Sequence, residues 1–174
     1  NSMISSIAPY LTLIFAWILQ VLCFQYLVLG NGWFLPTFHL YGLVLLPLTW
    51  SPLSVLLICG LTGALLDATT LGSGVFTSSA LFLGFCIPGV NRLLMPREGY
   101  EALGQGTLQT HGFQWFSTRS LLLLSAHNLW MFSLEAGRWG LLLEGCGKAL
   151  TSALLTWGLF LTASYVTQSK RRKR

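Results

Sequence analysis

Long apolar blocks alternate with short links of glycine, proline and polar residues along the whole chain. A transmembrane helix needs about 20 mostly apolar residues to cross the hydrocarbon core of a bilayer. We therefore predict about six transmembrane helices, at residues 7–29, 37–49, 53–70, 75–95, 115–136 and 140–166. No other stretch is long or polar enough for a soluble domain. The expected fold is a single all-α integral membrane domain over residues 1–174, with a basic tail at 167–174.

The second apolar block is shorter than the others. It lies between Pro36 and Pro52 and holds about 13 residues, which is too few for a straight helix across a full bilayer. Three arrangements fit this length: a tilted helix, a re-entrant segment, or a crossing extended by non-helical backbone buried in protein. Membranes tolerate such backbone only where protein or a water-filled cavity surrounds it.

The composition supports lipid as the surrounding medium. Only 9% of the residues are charged, 53% are hydrophobic and the mean hydropathy is +0.66. A soluble domain carries about 25% charged residues, so water would leave too much apolar surface uncovered. The four cysteines all lie inside apolar blocks, with no CxxC pair. We expect buried free thiols rather than disulfides or a metal site.

Basic residues are distributed unevenly and predict the orientation. Five of the ten lie at residues 170–174, and Arg92, Arg97 and Arg119 fall on the same side if there are six crossings. That side then holds eight basic residues and the opposite side holds only Arg138, while Lys148 lies within the last block. With six crossings the positive-inside rule places both termini in the cytoplasm. If the second block does not cross, five crossings remain and the amino terminus lies outside. We expect the tail to contact anionic lipid, and we expect no nucleic acid partner.

Small residues and one carboxylate share two stripes of the third block. Gly60, Ala64 and Ala68 recur every four residues, and Gly63 and Asp67 occupy the adjoining stripe. Small residues let another helix approach closely, and an ionisable residue in a membrane helix usually has a partner or a function. Asp67 could cap the turn that follows or pair inside the bundle, contact a partner protein, or serve as a proton or ligand site.

A second polar group lies in and between the last two blocks. His127 and Glu135, eight residues apart in block five, lie on nearly one face of a helix. Glu144 and Lys148, four residues apart in block six, are in the favourable order for an ion pair. Three interpretations stay open: mutual charge compensation, a proton relay or an ion or substrate pocket, and a docking site for a partner. The group consists of His127, Asn128, Glu135, Arg138, Glu144 and Lys148.

Nothing in the sequence indicates catalysis. There is no GxSxG, HExxH, P-loop or CxxC motif, and His39, His111 and His127 lie in three different contexts. The acidic residues are not spaced as an aspartyl dyad. We therefore predict a protein that is not an enzyme and that has no metal and no cofactor.

Several segments resemble one family of membrane proteins. They are Gln20, the short proline-bounded second block, the stretch GLTGALLDATTLGSGVFTSSALFLGF, the run Arg97-Glu98-Gly99-Tyr100-Glu101, the helix end Ser133-Leu134-Glu135-Ala136, and the basic tail. On these features the chain resembles the rod-shape-determining MreD family, particularly its Bacteroidetes-like form. Where relatives of this type often carry a histidine pair, this chain has Ala126-His127.

This resemblance implies a non-enzymatic scaffold of the bacterial inner membrane that helps to maintain cell shape. Such proteins bind MreC in the elongation complex, alongside MreB filaments, RodA and a penicillin-binding transpeptidase, and so couple the cytoskeleton to peptidoglycan synthesis. A second copy of the chain is an alternative partner. The expected contact face comprises Gly60, Gly63, Ala64 and Asp67, with the cluster of Glu135 and Arg138 at the outer end.

The same resemblance supplies an alternative function. MreD-like proteins are similar in fold to the S components of energy-coupling-factor transporters, which bind vitamins. On this alternative, the chain is a small-molecule binding or transport subunit. It would then hold a wet cavity lined by His127, Asn128, Glu135 and Asp67, although the sequence has few groups with which to build one.

Overall fold

The chain folds into α-helices without a strand in the ranges that the structure, a computed structural model, describes. These ranges are residues 2–27, 30, 32–70, 72–96, 99, 104–137 and 142–172, with side chains described from 9 to 167 except at Leu142. The helices are α1 Ser2–Leu19, continued by a π-helical turn Gln20–Phe24, then α2 Leu40–Val44, α3 Pro52–Thr70, α4 Val75–Leu93, α5 Leu108–Ala136 and α6 Leu142–Arg172. The predicted all-α class is confirmed.

Local caps fix the bounds of α5. The Thr107 side chain accepts a hydrogen bond from the Thr110 N–H, as an N-cap does. Gly137, in the left-handed region at φ +58°, ends the helix. The helix begins at Leu108, seven residues before the predicted span 115–136, because its first turn is capped in a stretch expected to be a loop. Gly112 interrupts it with φ +81°.

Helices α4 and α5 run antiparallel over their whole length. Near the start of α4, Trp130 Nε1 donates to Ser78 Oγ at 3.1 Å. Just after its end, Trp115 Nε1 donates to the Leu94 carbonyl at 2.8 Å. Two more close pairings, α3 with α4 and α5 with α6, extend this into a layer of four consecutive helices.

The first and last helices share one end of the molecule. We call it the basic end, because α6 runs there towards the basic tail. Gln109 near the start of α5 donates to the Ser164 carbonyl of α6 at 3.1 Å, so α5 begins at this end. Trp50, just before α3, lines one cavity with Arg92 and Met95 at the end of α4, so α3 also begins at this end. The rings of Tyr10 in α1 and Trp50 lie 5.6 Å apart. Helix α1 therefore also begins at the basic end.

The predicted block over residues 37–49 is helical only in part. Only Leu40–Val44 is α-helical, while residues 36–48 are all buried. At one end of this stretch the Trp33 carbonyl accepts a hydrogen bond from Thr151 near the start of α6, and at the other the Leu48 N–H donates to the Gly104 carbonyl. Residues 33–48, the crossing segment, thus run from the opposite end to the basic end. Its backbone is largely non-helical and buried in protein, as in the third of the arrangements considered.

Apolar side chains cover much of the outer surface. Helices α3 and α6 are long and apolar enough to span a membrane, over Pro52–Thr70 and Leu143–Thr167. Along α3, four leucines at every fourth position are 45–66% exposed: Leu53, Leu57, Leu61 and Leu65. Contiguous exposed apolar surface of this kind marks contact with lipid or with another protein.

Candidate functional site: a polar core and an apolar groove

Polar side chains gather in the centre of the bundle rather than on its surface. A buried polar group costs free energy unless it is hydrogen-bonded, so this placement calls for partners. We call the following buried side chains the polar core: Gln20, Thr37, His39, Asn91, Ser117, Arg119, Ser120, His127, Asn128, Ser152, Thr156 and Ser164.

Hydroxyl groups of α6 bind the backbone of the crossing segment. Ser152 Oγ accepts from the Leu35 N–H at 3.0 Å, and Thr156 Oγ1 accepts from the Thr37 N–H at 3.1 Å. Because residues four apart lie on one helix face, these hydroxyls and that of Ser164 form one stripe. The stripe supplies acceptors to backbone groups that make no helical hydrogen bonds. Its spacing in an apolar helix was the signal that sequence reading missed.

Gln20 binds the crossing segment from the other side. Its amide nitrogen donates to the Pro36 carbonyl at 3.1 Å, and its amide oxygen accepts from the His39 N–H at 3.2 Å. Further along, the hydroxyls of Tyr41 and Ser164 lie 3.2 Å apart. The crossing segment is therefore held between α1 and α6 by side chains.

His127 and Asn128 belong to this core and are fully buried. The Thr37 hydroxyl donates to Asn128 Oδ1 at 3.5 Å, and His127 Nδ1 lies 3.2 Å from the same oxygen. The imidazole rings of His39 and His127 are 5.7 Å apart, nearly perpendicular. These contacts tie the crossing segment to α5 as well.

Arg119 lies inside the protein near the basic end and is only 1% exposed. Its Nε donates to Asn91 Oδ1 of α4 at 2.8 Å, its Nη1 donates to the Val44 carbonyl of the crossing segment, and its guanidinium lies over the Trp115 ring. Arg119, expected among the cytoplasmic charges, instead joins three elements in the interior. An arginine within an otherwise apolar block could have indicated this role.

The predicted network of six residues is divided into separate groups. Glu144 and Lys148 form an ion pair at 2.8 Å near the start of α6, and Glu135 lines the same cavity of about 210 Å³. His127 precedes Glu135 by two turns, or about 12 Å along α5, and bonds within the polar core. Arg138 lies outside the described residues.

Asp67 joins α3 to α4. Its Oδ2 accepts from the Thr77 N–H at 2.7 Å and the Thr77 hydroxyl at 2.5 Å, and its Oδ1 accepts from the Phe76 N–H at 3.3 Å. A carboxylate is favourable at a helix N-terminus because the unpaired N–H groups and the helix dipole point towards it. Of the three interpretations, pairing inside the bundle is the arrangement observed.

One of the two stripes on α3, that of Gly63 and Asp67, is used within the chain. Gly63 is buried, and a Cβ there would lie 2.7 Å from the Phe76 carbonyl oxygen and from Thr77 Cα. Gly63 and Asp67 therefore contact α4 and do not form the partner face that we expected. Ala64 is exposed, and Gly60 is half-buried beside Leu81. For these last two residues, partner contact stays a prediction.

Gly63→Leu is expected to destabilise the protein by about 1–3 kcal/mol, because backbone atoms of α4 would have to move. The measurement is thermal unfolding in detergent, followed by dye labelling of the buried Cys59 thiol in a chain whose other cysteines are serine. The neighbouring exposed Ala64→Leu is the control. Equal unfolding of the two variants would contradict the close approach.

The four residues expected to line a wet cavity lie in different parts of the structure. His127 and Asn128 are closed into the polar core, Glu135 lines the small cavity at the opposite end, and Asp67 is bonded to α4. The site expected of a vitamin-binding subunit is thus not assembled from these residues.

A large apolar groove lies between α1 and α6. Its volume is about 1190 Å³, and its floor is the crossing segment. The rings of Phe38 and Tyr41 stack there at 5.5 Å and are buried, whereas wall residues such as Phe15 and Val166 are 60% and 59% exposed. Its lining includes Leu11, Phe15, Phe38, Tyr41, Leu159 and Ala163.

Comparison with known proteins adds nothing to this description of the site. No family model matches the chain, and no curated protein and no solved structure matches it significantly.

Proposed function

We propose that this chain is an MreD-type scaffold of the bacterial inner membrane, with six crossings. It is not an enzyme, and it binds MreC in the elongation complex. Its S-component-like fold would consist of α1, the crossing segment, α3, α4, α5 and α6.

The positions of the chain ends support six crossings. An even number of crossings returns a chain to the side on which it started, and α1 begins at the end where α6 finishes. The exposed Arg92 and the basic tail are at that same end. By the positive-inside rule the basic end faces the cytoplasm.

The observation that carries the proposal is the contrast between a closed polar interior and an open apolar side. Some of the interior polar groups, Gln20 and Thr156 among them, bind the backbone of the crossing segment and so hold the fold together. The apolar groove lies between two helices and is lined mainly by apolar residues. This arrangement favours binding of another membrane-embedded protein over binding of a polar solute.

The identity of the partners follows from the sequence resemblance. MreC is the direct partner, and RodA, a penicillin-binding transpeptidase and MreB belong to the same complex. Lipid offers no hydrophobic driving force between helices, so association must rest on close packing and satisfied polar groups. A pre-formed apolar surface with its polar groups already paired meets that requirement.

Co-purification tests the proposal. The tagged chain and MreC are produced together, extracted from membranes in mild detergent and isolated by the tag on this chain. MreC is expected to be recovered in near-stoichiometric amount. An unrelated six-span protein with the same tag is the control, and recovery of MreC no greater than with that control would refute the assignment.

A further inference from the structure

Four unpaired nitrogen atoms lie together in the polar core. Among the residues that the structure describes, neither ring nitrogen of His39, nor His127 Nε2, nor the amide nitrogen of Asn128 has a hydrogen-bond partner. All three side chains are at most 3% exposed. A buried polar group left unpaired costs free energy, and native proteins contain few of them. A cluster of such atoms therefore indicates a bound molecule that pairs with them.

The neighbouring amide fixes the hydrogen-bonding state of His127. The Nδ1 atom of His127 lies 3.2 Å from Asn128 Oδ1, which also accepts from the Thr37 hydroxyl. Because an amide oxygen can only accept, Nδ1 carries a proton. A buried charge is costly, so the ring is neutral and its Nε2 has a bare lone pair. His127 thus presents an acceptor to the interior.

His39 and Asn128 supply donors next to this acceptor. A neutral imidazole has one N–H in either tautomer, and an amide nitrogen has two. The centroids of the His39 and His127 rings are 5.7 Å apart, and no direct hydrogen bond joins these two described side chains. One bridging water with two hydrogen bonds of about 2.9 Å spans up to about 5.8 Å between nitrogens. The separation of the rings therefore suits a single bridging water.

The numbers of donors and acceptors also match water. A buried water typically makes about three hydrogen bonds. Here it would accept from His39 and from Asn128, and it would donate to His127 Nε2. A metal ion fits less well, because the described residues offer no group of three His, Cys, Asp or Glu side chains, and the Asn128 nitrogen can only donate.

We propose that His39, His127 and Asn128 bind one buried water between the crossing segment and α5. His39 belongs to the crossing segment and the other two residues to α5, so the water joins the two elements where their side chains do not meet directly. Removing it would leave the same nitrogens without partners, which makes it an integral part of the fold. The inference does not rest on the proposed function.

Solid-state NMR of the full chain in lipid bilayers tests the site without a substitution. The chain carries ¹⁵N throughout, and magnetisation is transferred from water protons for a short mixing time. We expect transfer to the ring nitrogens of His39 and His127, with no proton bonded to His127 Nε2. The amide of Leu124, fully buried one turn before Asn128, is the control and should receive none.

Three results would overturn the inference. The first is the absence of transfer from water to both rings. The second is a direct coupling across a hydrogen bond between nitrogens of His39 and His127. The third is a stoichiometric metal ion whose removal by a chelator shifts the signals of both rings. None of these results depends on recovery of MreC, so the water site and the proposed function can fail separately.

Removing the acceptor gives an independent readout. His127→Phe keeps a ring in place but has no nitrogen, so transfer from water to the His39 ring is expected to fall at least about fivefold. His111→Phe, near the start of α5, is the matched control and should leave that transfer unchanged. Thermal unfolding in detergent checks that both variants are folded; if His127→Phe is not, the spectra of the unsubstituted chain decide. Equal transfer to His39 in the two folded variants would contradict the site.

Discussion

Arg119→Ala is expected to lower the free energy of unfolding by about 3–5 kcal/mol. The arginine is buried and donates to Asn91 of α4 and to the Val44 carbonyl of the crossing segment. Truncation removes two charge-assisted hydrogen bonds and takes a donor from a buried backbone carbonyl. The measurement is unfolding in mixed detergent micelles, followed by labelling of Cys59.

The control is Arg92→Ala, which removes the same charge from an exposed position in the last turn of α4. It should change stability by less than about 0.5 kcal/mol, as surface substitutions do. Arg119→Lys keeps the charge but loses the planar fork, so an intermediate loss is expected. If Arg119→Ala and Arg92→Ala have the same free energy of unfolding, Arg119 does not join α4, α5 and the crossing segment as described.

Gln20→Leu is expected to cost about 2–4 kcal/mol, since it leaves two buried backbone groups without this partner. The leucine is of similar size, but it neither donates to the Pro36 carbonyl nor accepts from the His39 N–H. The loss should show as a lower unfolding midpoint in detergent. It should also appear as faster hydrogen exchange of the His39 amide, because that N–H is protected by the glutamine.

The matched control is Gln114→Leu, at an exposed position of α5. It should leave both the midpoint and the exchange rate of the His39 amide unchanged. Unchanged exchange in Gln20→Leu would mean that the glutamine does not hold the crossing segment.

The sequence predicts the helices that depend on local signals. The predicted blocks 53–70 and 75–95 correspond to helices Pro52–Thr70 and Val75–Leu93. Apolar length sets their extent, proline is favourable in the first turn, and Gly74 at φ +85° supplies the turn. Each of these features is encoded within a few residues.

Contacts between residues far apart in the sequence could not be predicted from such local signals. The partners of the crossing segment, Ser152 and Thr156, lie 117 and 119 residues away from Leu35 and Thr37. The stripes on α3 were recognised, but periodicity alone does not say which neighbour covers them. For Gly63 and Asp67 that neighbour is α4. The groove could not be predicted from the sequence either, because it lies where a helix was expected and the chain is largely non-helical.

The order of synthesis matters for the crossing segment, because some of its hydrogen-bond partners lie in the last helix. Residues 33–48 leave the ribosome well before Ser152 and Thr156, which bind the backbone N–H groups of Leu35 and Thr37. Until the last helix has been made, those amides lack the acceptors that make their burial tolerable. The amino-terminal part of this protein can therefore reach its final form only after translation of the carboxyl-terminal part.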